Sequence, residues 1–209
     1  MASAVIHMVI AHEINKNIKR DNNKLLIGSI APDISKFIGE DRAVSHFIDI
    51  KGSDIPNIDK FLDKYKTYLN DDFVLGYFIH LYTDYLWFKY FIPEIVDKDC
   101  ITKLDGSVYK CTEAMLNMYI YNDYTNLNIQ LLELYNMDLK IFYNEPPVID
   151  NIIEEIPMDK LDVIINQVSI IIENTKKNKD LVFNIDNINK FIETSVDLII
   201  AKLKELNIG

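Results

Sequence analysis

Between Phe73 and Phe88 the chain reads FVLGYFIHLYTDYLWF, with His80 and Asp84 four residues apart in a run otherwise apolar, aromatic or small. On an α-helix this spacing puts both side chains on one face about one turn apart, so they converge on one point. A helix that is apolar all round belongs in a core, where a carboxylate and an imidazole need partners to offset their desolvation. On the pair alone two readings stay open: a buried hydrogen bond between His80 and a carboxylate, or a shared metal ion. Gly76 lies one turn before His80 and costs roughly 1 kcal/mol of helix propensity relative to alanine. Its expected benefit is room for a second segment to approach.

The rest of the chain supplies material to bury that helix. Of 209 residues, 49% are hydrophobic and 11% aromatic, enough for one sizeable core, while six Gly and six Pro leave little turn chemistry for many short strands. The expected fold is all-α, a single-domain multi-helix bundle over 1–209 around the central helix. With 22 Lys+Arg against 32 Asp+Glu, the formal net charge of -10 disfavours nucleic acid and anionic membrane surfaces as partners. The N-terminal segment lacks signal-peptide character because His7 and His12 interrupt it, and the longest apolar run carries Asp84 and is too short for a bilayer. No transmembrane segment and a cytoplasmic location are expected, with Cys100 and Cys111 as reduced thiols.

Helical periodicity is expected over about 4–20, 56–69, 73–91, 112–135, 158–174 and 186–206, with 97–111 as the least regular connection. The first 92 residues would form the metal-site half, with C-terminal helices over about 112–207 packed on it. His7 falls on or beside the apolar face of the first helix, and His12 is rotated away from it. Asp33 follows Pro32 at a bend, where it would either cap the next turn or face a site. His46 stands in Ser45-His46-Phe47, a short irregular stretch. Asp123 would cap a second helix at a break near Asn122-Asp123, or reach the site. Tyr77, Tyr85, Trp87 and Phe88 read as core in preference to a substrate pocket.

His7, Asp33, His46, His80 and Asp84 thus each stand near the end or the buried face of an apolar element. Imidazole and carboxylate ligands suit Zn²⁺ and also permit Mn²⁺ or Fe. In order along the chain, Ile6-His7-Met8, Ala31-Pro32-Asp33, Ser45-His46-Phe47 and Leu75-Gly76-Tyr77-Phe78-Ile79-His80-Leu81-Tyr82-Thr83-Asp84 resemble the zinc-dependent phospholipase C family, which shares its all-helical fold with nucleases of the S1/P1 type. The resemblance implies a first metal site of Asp33, His46, His80 and Asp84, with His7 toward a second ion beside Asp84. It departs from the family pattern after Asp84, where Tyr85-Leu86-Trp87-Phe88 follow and no histidine occurs beyond residue 80.

Two classes of function follow. As a hydrolase, the protein would use a metal ion to attack a small or phospholipid-derived phosphoester, with Asp33 or Asp84 as general base. As an inactive relative, it would close its site with four protein ligands and serve protein interaction.

Overall fold

A computed structural model describes residues 1–208 as a mainly helical fold. The helices run in the order α1 (Ala4–Ile18), α2 (Asn22–Ile30), α3 (Ser35–Ile38), α4 (Arg42–Ser45), α5 (Ile58–Tyr65), α6 (Asp72–Leu86), α7 (Ile92–Ile95), α8 (Glu113–Leu134), α9 (Leu161–Glu173) and α10 (Ile185–Glu205). The expected all-α class is what the chain forms. Helix starts follow side-chain chemistry: Ser3 accepts the Ile6 N–H, Asp21 those of Asn23 and Lys24, and Asp71 those of Phe73 and Val74. Asn184 and Asn187 form a reciprocal capping box at the start of α10.

Helix α6 is the centre. From Phe73 to Leu81 every side chain is buried, and α1, α2, α5 and α10 all pack on it. Burying a phenylalanine is worth about 1.5–3 kcal/mol, so Phe73 and Phe78 alone outweigh the propensity lost at Gly76. That glycine does admit a neighbour: an added Cβ on Gly76 would lie 2.2 Å from the Leu25 carbonyl oxygen, and one on Gly28 would lie 2.1 Å from that of Phe73. Helices α2 and α6 therefore cross backbone to backbone, which no residue with a side chain allows.

The expected end of the central helix near Phe91 needs correction. After Leu86 the chain passes through a π-helical turn, Trp87–Phe91, and continues into α7 across Pro93. The wider i→i+5 turn absorbs the lost proline N–H and relieves its clash with the preceding turn. The 97–111 connection is a three-stranded antiparallel sheet of β1 (Val96–Asp97), β2 (Cys100–Thr102) and β3 (Val108–Lys110), with Ile101 opposite Tyr109 and Gly106 in the turn at φ 80°. Strands of two or three residues carry no readable alternation. Cys100 and Cys111 are unbonded. Among the described residues no helix is long and apolar enough to cross a membrane.

Helix α8 also runs unbroken where a break was expected. Asp123, in its middle, is fully buried and accepts the backbone N–H groups of Leu181, Val182 and Phe183 at 2.8, 2.8 and 3.1 Å. It neither caps a helix nor joins the histidines. It pins the 181–183 segment so that Phe183 packs edge-on against Trp87.

Candidate metal centre

The α2–α6 crossing sets the first part of the site. It brings the Ser29 carbonyl 2.8 Å from His80 Nδ1, and a carbonyl only accepts, so Nδ1 carries the proton and the Nε2 lone pair faces inward. The bend at Ala31–Ile34 that follows α2 turns Asp33 toward the same point. Asp33 does not cap the next turn: its Oδ1 is buried and makes no hydrogen bond. Helix α4 ends at His46, whose Nδ1 lies 2.9 Å from Ser45 Oγ, and that hydroxyl reaches the Arg42 carbonyl. A proton on Nδ1 completes this relay and leaves Nε2 free. Tyr77 on α6 donates to the Ser45 carbonyl and holds the turn down.

His80 Nε2 and His46 Nε2 stand 3.2 Å apart, and His46 Nε2 is 3.4 Å from Asp33 Oδ1. Asp84 Oδ2 is 3.8 Å from His46 Nε2 and 4.0 Å from His80 Nε2. Ligands at 2.0–2.1 Å from a tetrahedral ion stand about 3.3 Å from one another, so the His46–His80 and His46–Asp33 edges match one ion, and the Asp84 edges are longer than a closed tetrahedron needs. His7 on α1 stacks on the His80 ring at 3.8 Å between centroids and brings Nε2 to 3.4 Å from Asp84 Oδ1. Neither His7 nitrogen is hydrogen-bonded, although the side chain is fully buried. Two groups of metal-ligand type result, His7 with His80 and Asp84, and Asp33 with His46 and His80. The five residues singled out in the sequence therefore converge, and His12 stays outside, half-buried on α1.

Protonation is consistent with a cation-binding set. Burial pushes His80 down to about 3, helped by His7, and burial also lowers His46 in spite of the Asp33 carboxylate. Both rings are then neutral near pH 7. Burial raises the Asp33 and Asp84 carboxyls, but His46 beside the first and His7 beside the second outweigh it, leaving both below the usual carboxylate range. Orphaned buried nitrogens, an orphaned carboxylate oxygen and inward-facing lone pairs are the donors that a divalent ion satisfies. These residues fit such an ion.

Sequence reasoning missed Arg42. Its Nη2 donates to Asp84 Oδ2 at 2.9 Å, its Nη1 to Asp54 at 3.1 Å, and its guanidinium carbon lies 5.5 Å from the centre of the Phe88 ring. The backbone N–H of Ala2 occupies Asp84 Oδ1 at 3.1 Å. An arginine three residues before Ser45-His46 was the only available signal, and its partner is 42 positions away.

Two pockets flank the centre, with Met1, Tyr121 and Tyr124 lining both. One, of about 220 Å³, is lined by Asp33, Lys36, Ile164, Val168 and Ile171 among others. The second, of about 310 Å³, lies along Arg42, Trp87, Phe88, Leu116 and Ile120. Tyr77 and Trp87 are core as expected, Tyr85 and Phe88 are half-buried, and Trp87 and Phe88 also border this second pocket. No family model, curated protein or solved structure matches the chain.

Proposed function

We propose that the protein is a metal-dependent phosphoester hydrolase resembling zinc-dependent phospholipase C, acting on a small or lipid-derived substrate, with Zn²⁺, Mn²⁺ or Fe held by Asp33, His46, His80 and Asp84. The observation that carries the reading is the convergence of His46 Nε2, His80 Nε2 and Asp33 Oδ1 at 3.2–3.4 Å, with Asp84 closing the set. An ion bound there supplies Lewis acidity toward a phosphoryl oxygen and lowers the pKa of water to about 7. The residues do the rest. His80 is fixed by Ser29 and His46 by Ser45, which holds both lone pairs on target. Asp33 lines the 220 Å³ pocket, whereas both Asp84 oxygens already accept hydrogen bonds, so we assign to Asp33, through the oxygen not given to the ion, the proton of the attacking water. The apolar wall of Ile164, Val168 and Ile171 suits an uncharged substituent on the phosphoester.

One observation favours a second reading. His7, His46, His80 and Asp84 are wholly buried, and only 8% of the Asp33 side chain is exposed, as in a closed structural site of an inactive relative. A panel of chromogenic phosphoesters separates the two, using metal-free, metal-restored and Asp84→Asn protein. Hydrolysis should vanish with a chelator and return with Zn²⁺ or Mn²⁺. Metal-loaded wild type no faster than Asp84→Asn on every ester would remove the hydrolase.

A further inference from the structure

We propose that the centre takes a single divalent ion and that Arg42 serves as its second cation, binding the anionic oxygens of the ligand from the pocket along Trp87 and Phe88. The proposal rests on the metal reading above and goes beyond it in stoichiometry and in the residue that meets the substrate.

Three observations limit the ion count to one. The two groups of metal-ligand type share His80, whose Nδ1 is committed to the Ser29 carbonyl, so its single free lone pair serves one ion only. Once His80 is spent on the set with Asp33 and His46, a second ion would keep only His7 and Asp84. Asp84, as a ligand of the first ion that also accepts from Arg42 and from the Ala2 N–H, has one lone pair left at most, so a second ion would have no more than two protein ligands. Charge points the same way. Ionised Asp33 and Asp84 with Arg42 sum to minus one, so one divalent ion makes the sum plus one, whereas two would make it plus three at a site where only Arg42 is more than a tenth exposed, at heavy desolvation cost.

Arg42 is also the group with binding capacity left. Its Nε is buried without a partner, and so is Nε1 of Trp87, and both residues line the same pocket. Neither nitrogen reaches the cavity surface, so a ligand in this pocket meets the Nη arms of Arg42 first. The Nη1 arm rests on Asp54, whose side chain is 64% exposed, so a ligand can displace that contact with little loss. The Nη2 arm stays on Asp84, which keeps the guanidinium beside the metal centre. A guanidinium presents paired N–H groups that match phosphate oxygens.

Trp87 is the only tryptophan in the chain, so its emission reports this pocket. The test titrates metal-loaded protein with inorganic phosphate while following that emission, and counts ions per chain by elemental mass spectrometry after saturation and dialysis. Wild type should hold one ion and show a saturable change. Arg42→Gln should keep the ion and bind phosphate about tenfold more weakly or worse, since it loses a charge-assisted pair. Asp54→Asn, at an exposed position that folding tolerates, should bind about threefold more tightly because a competitor for Nη1 is gone. Two ions in wild type, no saturable change, or an Arg42→Gln midpoint within twofold of wild type would overturn the proposal. If Arg42→Gln does not fold, Asp54→Asn decides, and unchanged or weaker phosphate binding there overturns it. One ion with Arg42-dependent phosphate binding but no turnover on any ester would remove the hydrolase reading alone, and two ions with turnover would do the reverse.

Discussion

Gly28 on α2 and Gly76 on α6 meet so closely that a Cβ on either would sit within 2.2 Å of a backbone oxygen of the other helix. The contact lies one residue from Ser29 and one turn from His80, so the packing that closes the core also sets the hydrogen bond that orients the ligand. Gly76→Ala should force the helices apart and cost about 3 kcal/mol, the upper end for overpacking. Urea unfolding should show the midpoint fall. Metal affinity should fall with it, because the Ser29 carbonyl retreats from His80. An unchanged midpoint would mean that the crossing is looser than described.

Ligand roles separate by substitution. His80→Ala and His46→Ala should each lower metal content sharply, whereas His12→Ala, outside the cluster, should leave it nearly intact. Ser45→Ala removes the partner of His46 Nδ1 and should weaken metal binding by about tenfold, the low end for an orienting residue. Competition against a chromogenic chelator measures all four. Equal loss from His80→Ala and His12→Ala would show that the wrong histidines are in the centre.

How much of this was readable in the chain follows from the range of each interaction. Helical period and the His80–Asp84 spacing are local, and they located α1, α6, α9 and α10 to within a few residues, apart from the π turn after Leu86 and the continuation past Phe91 into α7. Gly76 announced a close approach without naming Gly28. The π-turn before Pro93 and the small sheet of β1–β3 escaped because neither repeats long enough to show a period. Arg42 and the buried anchoring role of Asp123 depend on partners 42 and about 60 positions away, which a pass along one sequence does not bring together.

Acid sensitivity should begin earlier than carboxylates alone would give. His80 and His46 have lowered pKa values in the folded chain, so between an unfolded value near 6.5 and the folded value, about 3 for His80, the unfolded state binds more protons. Stability of chelator-treated protein should therefore fall as pH drops below about 6.5, by up to about 1.4 kcal/mol per pH unit for each histidine. The lowered carboxyls of Asp33 and Asp84 add a further loss below about pH 4, where the unfolded chain starts to protonate them. Denaturation midpoints at pH 7.5, 6.5, 5.5 and 4.5 read this directly. A flat profile down to pH 5 would contradict the buried neutral histidines.

Whether a cation joins these side chains can be read by anomalous diffraction from crystals grown with Zn²⁺, with data on both sides of the zinc edge. A single strong anomalous peak is expected within bonding distance of His46 Nε2, His80 Nε2, Asp33 and Asp84, with the His80 Nδ1–Ser29 contact kept at about 2.8 Å. No peak among these atoms, with His46 Nε2 instead hydrogen-bonded to His80 Nε2 or to Asp33, would contradict it.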